Sequence, residues 1–161
     1  MSERHLQVAP LVVALLAATW LASCSSEEDA PAAVEIGKSR WKVELATTEA
    51  QRAHGLSERE QLAPGTGMLF AFPRAEQVSF HMLNCHVPLD VAFLSDDLTV
   101  VNIRSMPVED NPGNPKMAYP SRYPARYALE VSAGEFRRAG VKIGDRATLL
   151  GQALRAAKDA R

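Results

Sequence analysis

Val91-Ala92-Phe93-Leu94, Ser95-Asp96-Asp97 and Leu98-Thr99-Val100-Val101-Asn102-Ile103 read as strand, turn and returning strand. Two apolar, β-branched runs joined by a short polar turn are a hairpin signature. Further strands are expected on both sides. Trp41-Lys42-Val43-Glu44-Leu45-Ala46 alternates apolar and polar residues, as a half-buried strand does. Met68-Leu69-Phe70-Ala71-Phe72 is expected as a buried strand stopped by Pro73, and Ser79-Phe80-His81-Met82 as another. Tyr127-Ala128-Leu129-Glu130-Val131 and Arg146-Ala147-Thr148-Leu149-Leu150 complete the set. Between them, Thr48 with Gln51 forms a capping-box pattern for a short helix that Gly55 closes in the left-handed conformation. Ser57-Glu58-Arg59-Glu60 predicts a further helical turn, and residues 135–139 another, closed by Gly140. Pro107, Pro112, Pro115, Pro120 and Pro124 make residues 107–124 a long loop. The expected fold is mostly β with short helices, a compact β-sandwich or a partly closed β-barrel.

The 161 residues suit one domain, and 18 basic against 19 acidic side chains leave a net charge of -1. That balance argues against nucleic acid as a partner, which selects a basic face. Near the start Arg4, offset by Glu3, gives a thin positive region, and an apolar run follows over residues 8–21. The run is too short to span a bilayer but suits a secretory leader. It ends in Leu21-Ala22-Ser23-Cys24, which resembles the bacterial lipobox. The resemblance implies a signal peptide over residues 1–23, lipid on Cys24 and a membrane-anchored place in the cell envelope, on the periplasmic face of the inner or outer membrane. Several acyl chains on one residue give stable anchoring. Residues 24–36 are acidic and aperiodic at their start and are expected as a flexible tether, followed by the domain over 37–150 and a tail over 151–161 with too few apolar positions to dock firmly.

A string of positions across residues 41–150 is similar to a known family. It begins at Arg52, Gly55, Leu56, Arg59 and Leu62, and runs through Gly67-Met68-Leu69-Phe70, Phe72, Phe80, Met82 and Asn84. Pro88-Leu89-Asp90, Phe93, Tyr127, Leu129-Glu130, Gly134, Gly144 and Asp145 continue it. In this order and spacing the chain resembles DUF192, a family of β-rich domains, often exported, with no agreed activity. Where that family usually shows Phe-Trp-Met-Lys-Asn-Thr, this chain has Phe80-His81-Met82-Leu83-Asn84-Cys85, so neither the usual lysine nor the usual tryptophan is present.

Residues 81–90 hold the densest set of reactive side chains. His81, Cys85 and Asp90 are the candidates for a thiol nucleophile with a histidine base. His81, Cys85 and His86, with His54, are the candidates for a zinc or copper site, although no paired ligand spacing supports one. The third reading is structural: Asn84 and Asp90 flank Pro88 and satisfy backbone amides there, while Cys85 is a small core residue. If Cys24 carries lipid, Cys85 has no disulfide partner. Arg52 and Arg59 read either as an anion-binding rim or, structurally, as a solvated face or ion-pair partners of Glu130 or Asp145. Tyr119, Tyr123 and Tyr127 are candidates for a binding rim beside the proline loop, set against simple loop packing.

These readings favour a membrane-tethered binding or accessory module of the envelope, with an envelope protein or a small molecule as partner and no cofactor. The alternative is a thiol- or metal-dependent envelope enzyme centred on His81, Cys85, His86 and Asp90. A purely structural protein would have no pocket.

Overall fold

The computed structural model describes residues 30–159. The leader, Cys24 and the start of the tether lie outside the described residues.

Nine strands and three short helices follow in order: β1 (Ala33–Ile36), β2 (Ser39–Ala46), α1 (Glu49–His54), β3 (Thr66–Glu76), β4 (Ser79–Phe80), β5 (Leu89–Leu94), β6 (Val100–Met106), β7 (Tyr119–Pro120), β8 (Ala125–Ser132), α2 (Glu135–Ala139), β9 (Ala147–Leu150) and α3 (Gln152–Asp159). Seven strands form one sheet in the order β6-β5-β8-β3-β2-β1-β9, while β4 and β7 pair separately. All pairs are antiparallel except β2 with β3, which α1 connects as a crossover. The sheet curls into a half-barrel. Its two edges meet at one end, where Thr99 bridges Arg146 and the Val100 N–H donates to the Asp145 carbonyl. Among the described residues no helix is long and apolar enough to cross a membrane.

The expected hairpin is β5 and β6, paired from Leu89↔Met106 to Leu94↔Val100. β8 sits at the centre between β5 and β3. Its residues are buried on both faces, so it reads as a nearly continuous apolar run. Leu69, Ala71, Ala92, Leu94, Tyr127, Leu129 and Val131 face one core, covered by Phe136 of α2 and by Ala153 and Ala157 of α3. Met68, Phe70, Val91, Phe93 and Ala128 face the other, covered by Leu56, Val78, Met82, Cys85 and Tyr119.

Several expectations are corrected. Residues 33–36, assigned to the tether, form β1, because Ala33, Val34 and Ile36 are buried between β2 and β9. Of the tail expected over 151–161, residues 152–159 form a docked helix. α3 docks through two alanines four residues apart, whose small side chains allow close approach, and the Gln152 N–H donates to the Ala30 carbonyl. β3 continues through Pro73, because its register with β8 shifts between Ala71 and Glu76 and the proline takes no place in the ladder. Residues 57–60 form no helical turn: Ser57 and Glu58 end a turn, with Glu58 at φ 65°, and the chain then runs on irregularly. Only Ser79 and Phe80 of the next expected strand are extended, before a turn at Asn84 with φ 51°.

The capping box at α1 forms as read: the Gln51 N–H donates to Thr48 Oγ1 and the Thr48 N–H donates to Gln51 Oε1. Gly55 closes the helix with φ 53° and ψ -134°, outside the left-handed helical region. The Gly55 N–H donates to the Gln51 carbonyl.

Candidate functional site

On the face of the sheet beneath α1 the side chains do not fill the space. A pocket of about 230 Å³ lies between α1, the turn after it and the sheet. Phe70 and Phe72 of β3, Phe80 of β4 and Val78 form its apolar walls. Phe70 and Phe80 meet edge to face with centroids 4.9 Å apart, and Phe80 meets Phe93 at 5.6 Å. Such pairs hold ring orientation beyond simple burial.

Glu130 of β8 lines this pocket and is only 4% exposed. Strand alternation sends it to the same face as Ala128, between Met68 of β3 and Val91 of β5. Gly67 brings the two backbones together: a Cβ there would lie 2.2 Å from the Glu130 carbonyl oxygen. Burial raises the Glu130 carboxyl to about 8, and no hydrogen bond or basic group among the described residues lowers it. The group is therefore mainly a neutral carboxylic acid at pH 7, able to donate as well as accept.

Cys85 also lines the pocket and is 5% exposed. Burial, and then the nearby Glu130 charge, pushes its thiol up to about 11, against a smaller lowering by Ser57. Its Sγ lies 3.6 Å from the Leu83 carbonyl, which also accepts from Ser57 Oγ at 2.7 Å. A thiol so disposed is a weak nucleophile at neutral pH. His81 is exposed at the rim, where its Nδ1 accepts the Leu83 N–H, and the exposed His54 lies on the same rim. Arg52 arches over the mouth. Its Nη1 donates to the carbonyls of Thr47 and Ala71, and its guanidinium lies 5.3 Å from the centre of the Phe72 ring.

The other candidates lie elsewhere. Asp90 points to the opposite face of the sheet, accepting from Ser105 Oγ at 2.7 Å and from the Gly134 N–H at 2.7 Å, where it fixes the start of α2. It therefore cannot orient a base for Cys85. The amide it satisfies belongs to Gly134 rather than to the Pro88 turn. Asn84 joins two loops through its backbone, accepting from the Glu58 N–H and donating to the Pro112 carbonyl. Arg59 pairs with Glu44 at 2.6 Å, rather than with Glu130 or Asp145. His86 is exposed outside the pocket. Tyr119 is buried in the core beside the pocket and Tyr127 in the opposite one, while Tyr123 is exposed, so the three tyrosines form no common rim. Among the described residues no three His, Cys, Asp or Glu side chains are grouped to hold a metal ion.

The family model DUF192, described as an uncharacterized ACR, matches residues 32–149. The chain belongs to the DUF192 family. No curated protein matches this DUF192 chain. Several solved structures are similar to it, two of which follow. One is a Sinorhizobium meliloti 1021 protein provisionally named a transcription regulator, 36% identical, covering 77% of this chain and 97% of its own, with a TM-score of 0.68. The other is a protein of unknown function from Novosphingobium aromaticivorans DSM 12444, 32% identical over 72% of this chain and 83% of its own, with a TM-score of 0.66.

Sequence reasoning brought Arg52, His54, His81 and Cys85 to this site and missed Glu130 as its floor. The available signal was a lone carboxylate inside the apolar run from Tyr127 to Val131, a run long enough to be buried on both faces.

Proposed function

We propose that this DUF192 chain is a membrane-tethered binding module of the cell envelope. Lipid on Cys24 anchors it, and the pocket above Glu130 takes a small ligand. The observation that carries the binding role is the pocket itself, aromatic on its walls and floored by a buried carboxyl without a basic partner among the described residues. A concave, mostly apolar site with one well-placed polar group is the usual form of a small-molecule site. The anchor rests on the leader and on Leu21-Ala22-Ser23-Cys24. The regulator label on the Sinorhizobium protein gives no ligand, and a net charge of -1 favours no nucleic-acid partner.

The test is native mass spectrometry of the full chain purified from membranes of a Gram-negative host. The expected result is a chain carrying acyl mass and a small-molecule adduct. Cys24→Ser should move the protein to the soluble fraction without acyl mass. Ser57→Trp, which fills the mouth, should lose the adduct with an unchanged circular dichroism spectrum. A Cys24→Ser chain that stays in the membrane overturns the anchor, and an adduct that survives Ser57→Trp overturns the pocket.

A further inference from the structure

We propose that the pocket's ligand is a small organic cation, an alkylammonium-like group that pairs with Glu130 between the rings of Phe70 and Phe80. This deepens the binding role proposed above and rests on it. Glutamates are almost never fully buried unless paired, and a buried charge needs a partner. Glu130 is buried, lines an open pocket and has no basic partner among the described residues. Such a carboxyl either keeps its proton or pairs with a cation, and a cation can reach it here only as part of the ligand. An anion could take only the single proton of the neutral acid and would be repelled once the carboxyl ionised. A neutral group would leave its proton in place and forgo the ion pair. The aromatic walls suit a cation, which ring faces attract. The volume, at the small end for a ligand pocket, suits a short one.

The groups around Glu130 fit this assignment. At the mouth α1 contributes Glu49, Arg52 and His54, and His81 lies opposite. Arg52 is tied to two backbone carbonyls and the Phe72 ring, and Glu49 supplies a compensating negative charge beside it. Cys85 stays a neutral thiol through pH 9. On β8 itself Arg126 shares the face of Glu130 but bonds to Asp96; Arg104 of β6 and Glu44 of β2, paired with Arg59, lie on that face one strand further out and leave the carboxyl raised. In the empty pocket a proton occupies the place of the cation, and binding an ammonium expels that proton.

Isothermal titration calorimetry of the full chain tests this with n-butylammonium chloride and, in parallel, 1-butanol. Butylammonium is expected to bind roughly tenfold tighter per pH unit between pH 6 and 7.5, flattening above about 8, with about one proton released to buffer. Glu130→Gln should weaken it about tenfold or more while leaving 1-butanol unchanged. The pH profile of the unaltered chain tests the same point without a variant. Butanol binding as tightly as butylammonium, or an ammonium affinity that does not rise with pH, overturns the cation and leaves the pocket standing. Failure of both probes to bind overturns the pocket and the cation together.

Discussion

Glu130 sets the pH behaviour of the molecule. Its carboxyl lies at about 8 when folded, against 4.5 for the free group, and burial is the cause. The folded state therefore holds a proton that the unfolded state has lost between these values. Below about 4.5 both states are protonated and there is no penalty. As pH rises toward 8, stability falls by about 1.4 kcal/mol per unit from this group alone, and above 8 the loss is complete. Glu130→Gln carries no such titration. In urea unfolding, the stability difference between the variant and the unaltered chain should grow in the variant's favour from pH 5 to pH 8, reaching a few kcal/mol. A difference that stays flat over that interval would mean the carboxyl is solvated.

At the scale of elements, α1 is the lightly packed part of the site. It buries none of its own side chains, so its placement depends on its caps and on Arg52 rather than on packing. Removing the cap hydroxyl with Thr48→Ala should cost about 1 kcal/mol. Hydrogen exchange should quicken at Arg52 and Gly55, whose amides the first turn protects, with little change in β8. Equal acceleration in β8 would show that the helix opens only with the whole domain. This helix was legible in the sequence because a capping box is a local device, settled by Thr48 and Gln51 alone. The β5–β6 hairpin was legible for the same reason, its turn lying between the two runs it joins. β1 was not: four residues beside an acidic stretch carry no period, and only the neighbours supplied by β2 and β9 make them a strand. α3 escaped because alanines carry a weak apolar signal, yet their smallness is what allows it to dock. Glu130 escaped for a deeper reason. A single charge in a strand reads as a solvent-facing residue until the sheet order places that strand in the centre.

At the scale of the whole molecule, the half-barrel is held at one end by contacts between its two edges. Val100 takes part on both sides of that closure, donating to the Asp145 carbonyl and accepting from the Gly144 N–H. Proline at this position removes the donor that the closure uses and is poorly accommodated within a strand. Val100→Pro should thus expose residues 98–106 and 144–150 to hydrogen exchange together, although the two segments lie at opposite edges of the sheet. Fast exchange in only one of them would mean the edges are independent.

The central place of β8 also has a consequence in time. A ribosome or a translocon delivers the chain from its N-terminus, so β3 and β5 emerge before the strand that separates them. Until residues 125–132 arrive, each carries an open hydrogen-bonding edge with apolar side chains beside it, the condition under which nascent chains pair with the wrong neighbour. The floor of the pocket is also the last piece of the sheet's centre to be inserted. No truncated product and no half-delivered chain can have the binding site, and a cell that makes this protein has to keep the strands on either side apart until the middle one is delivered.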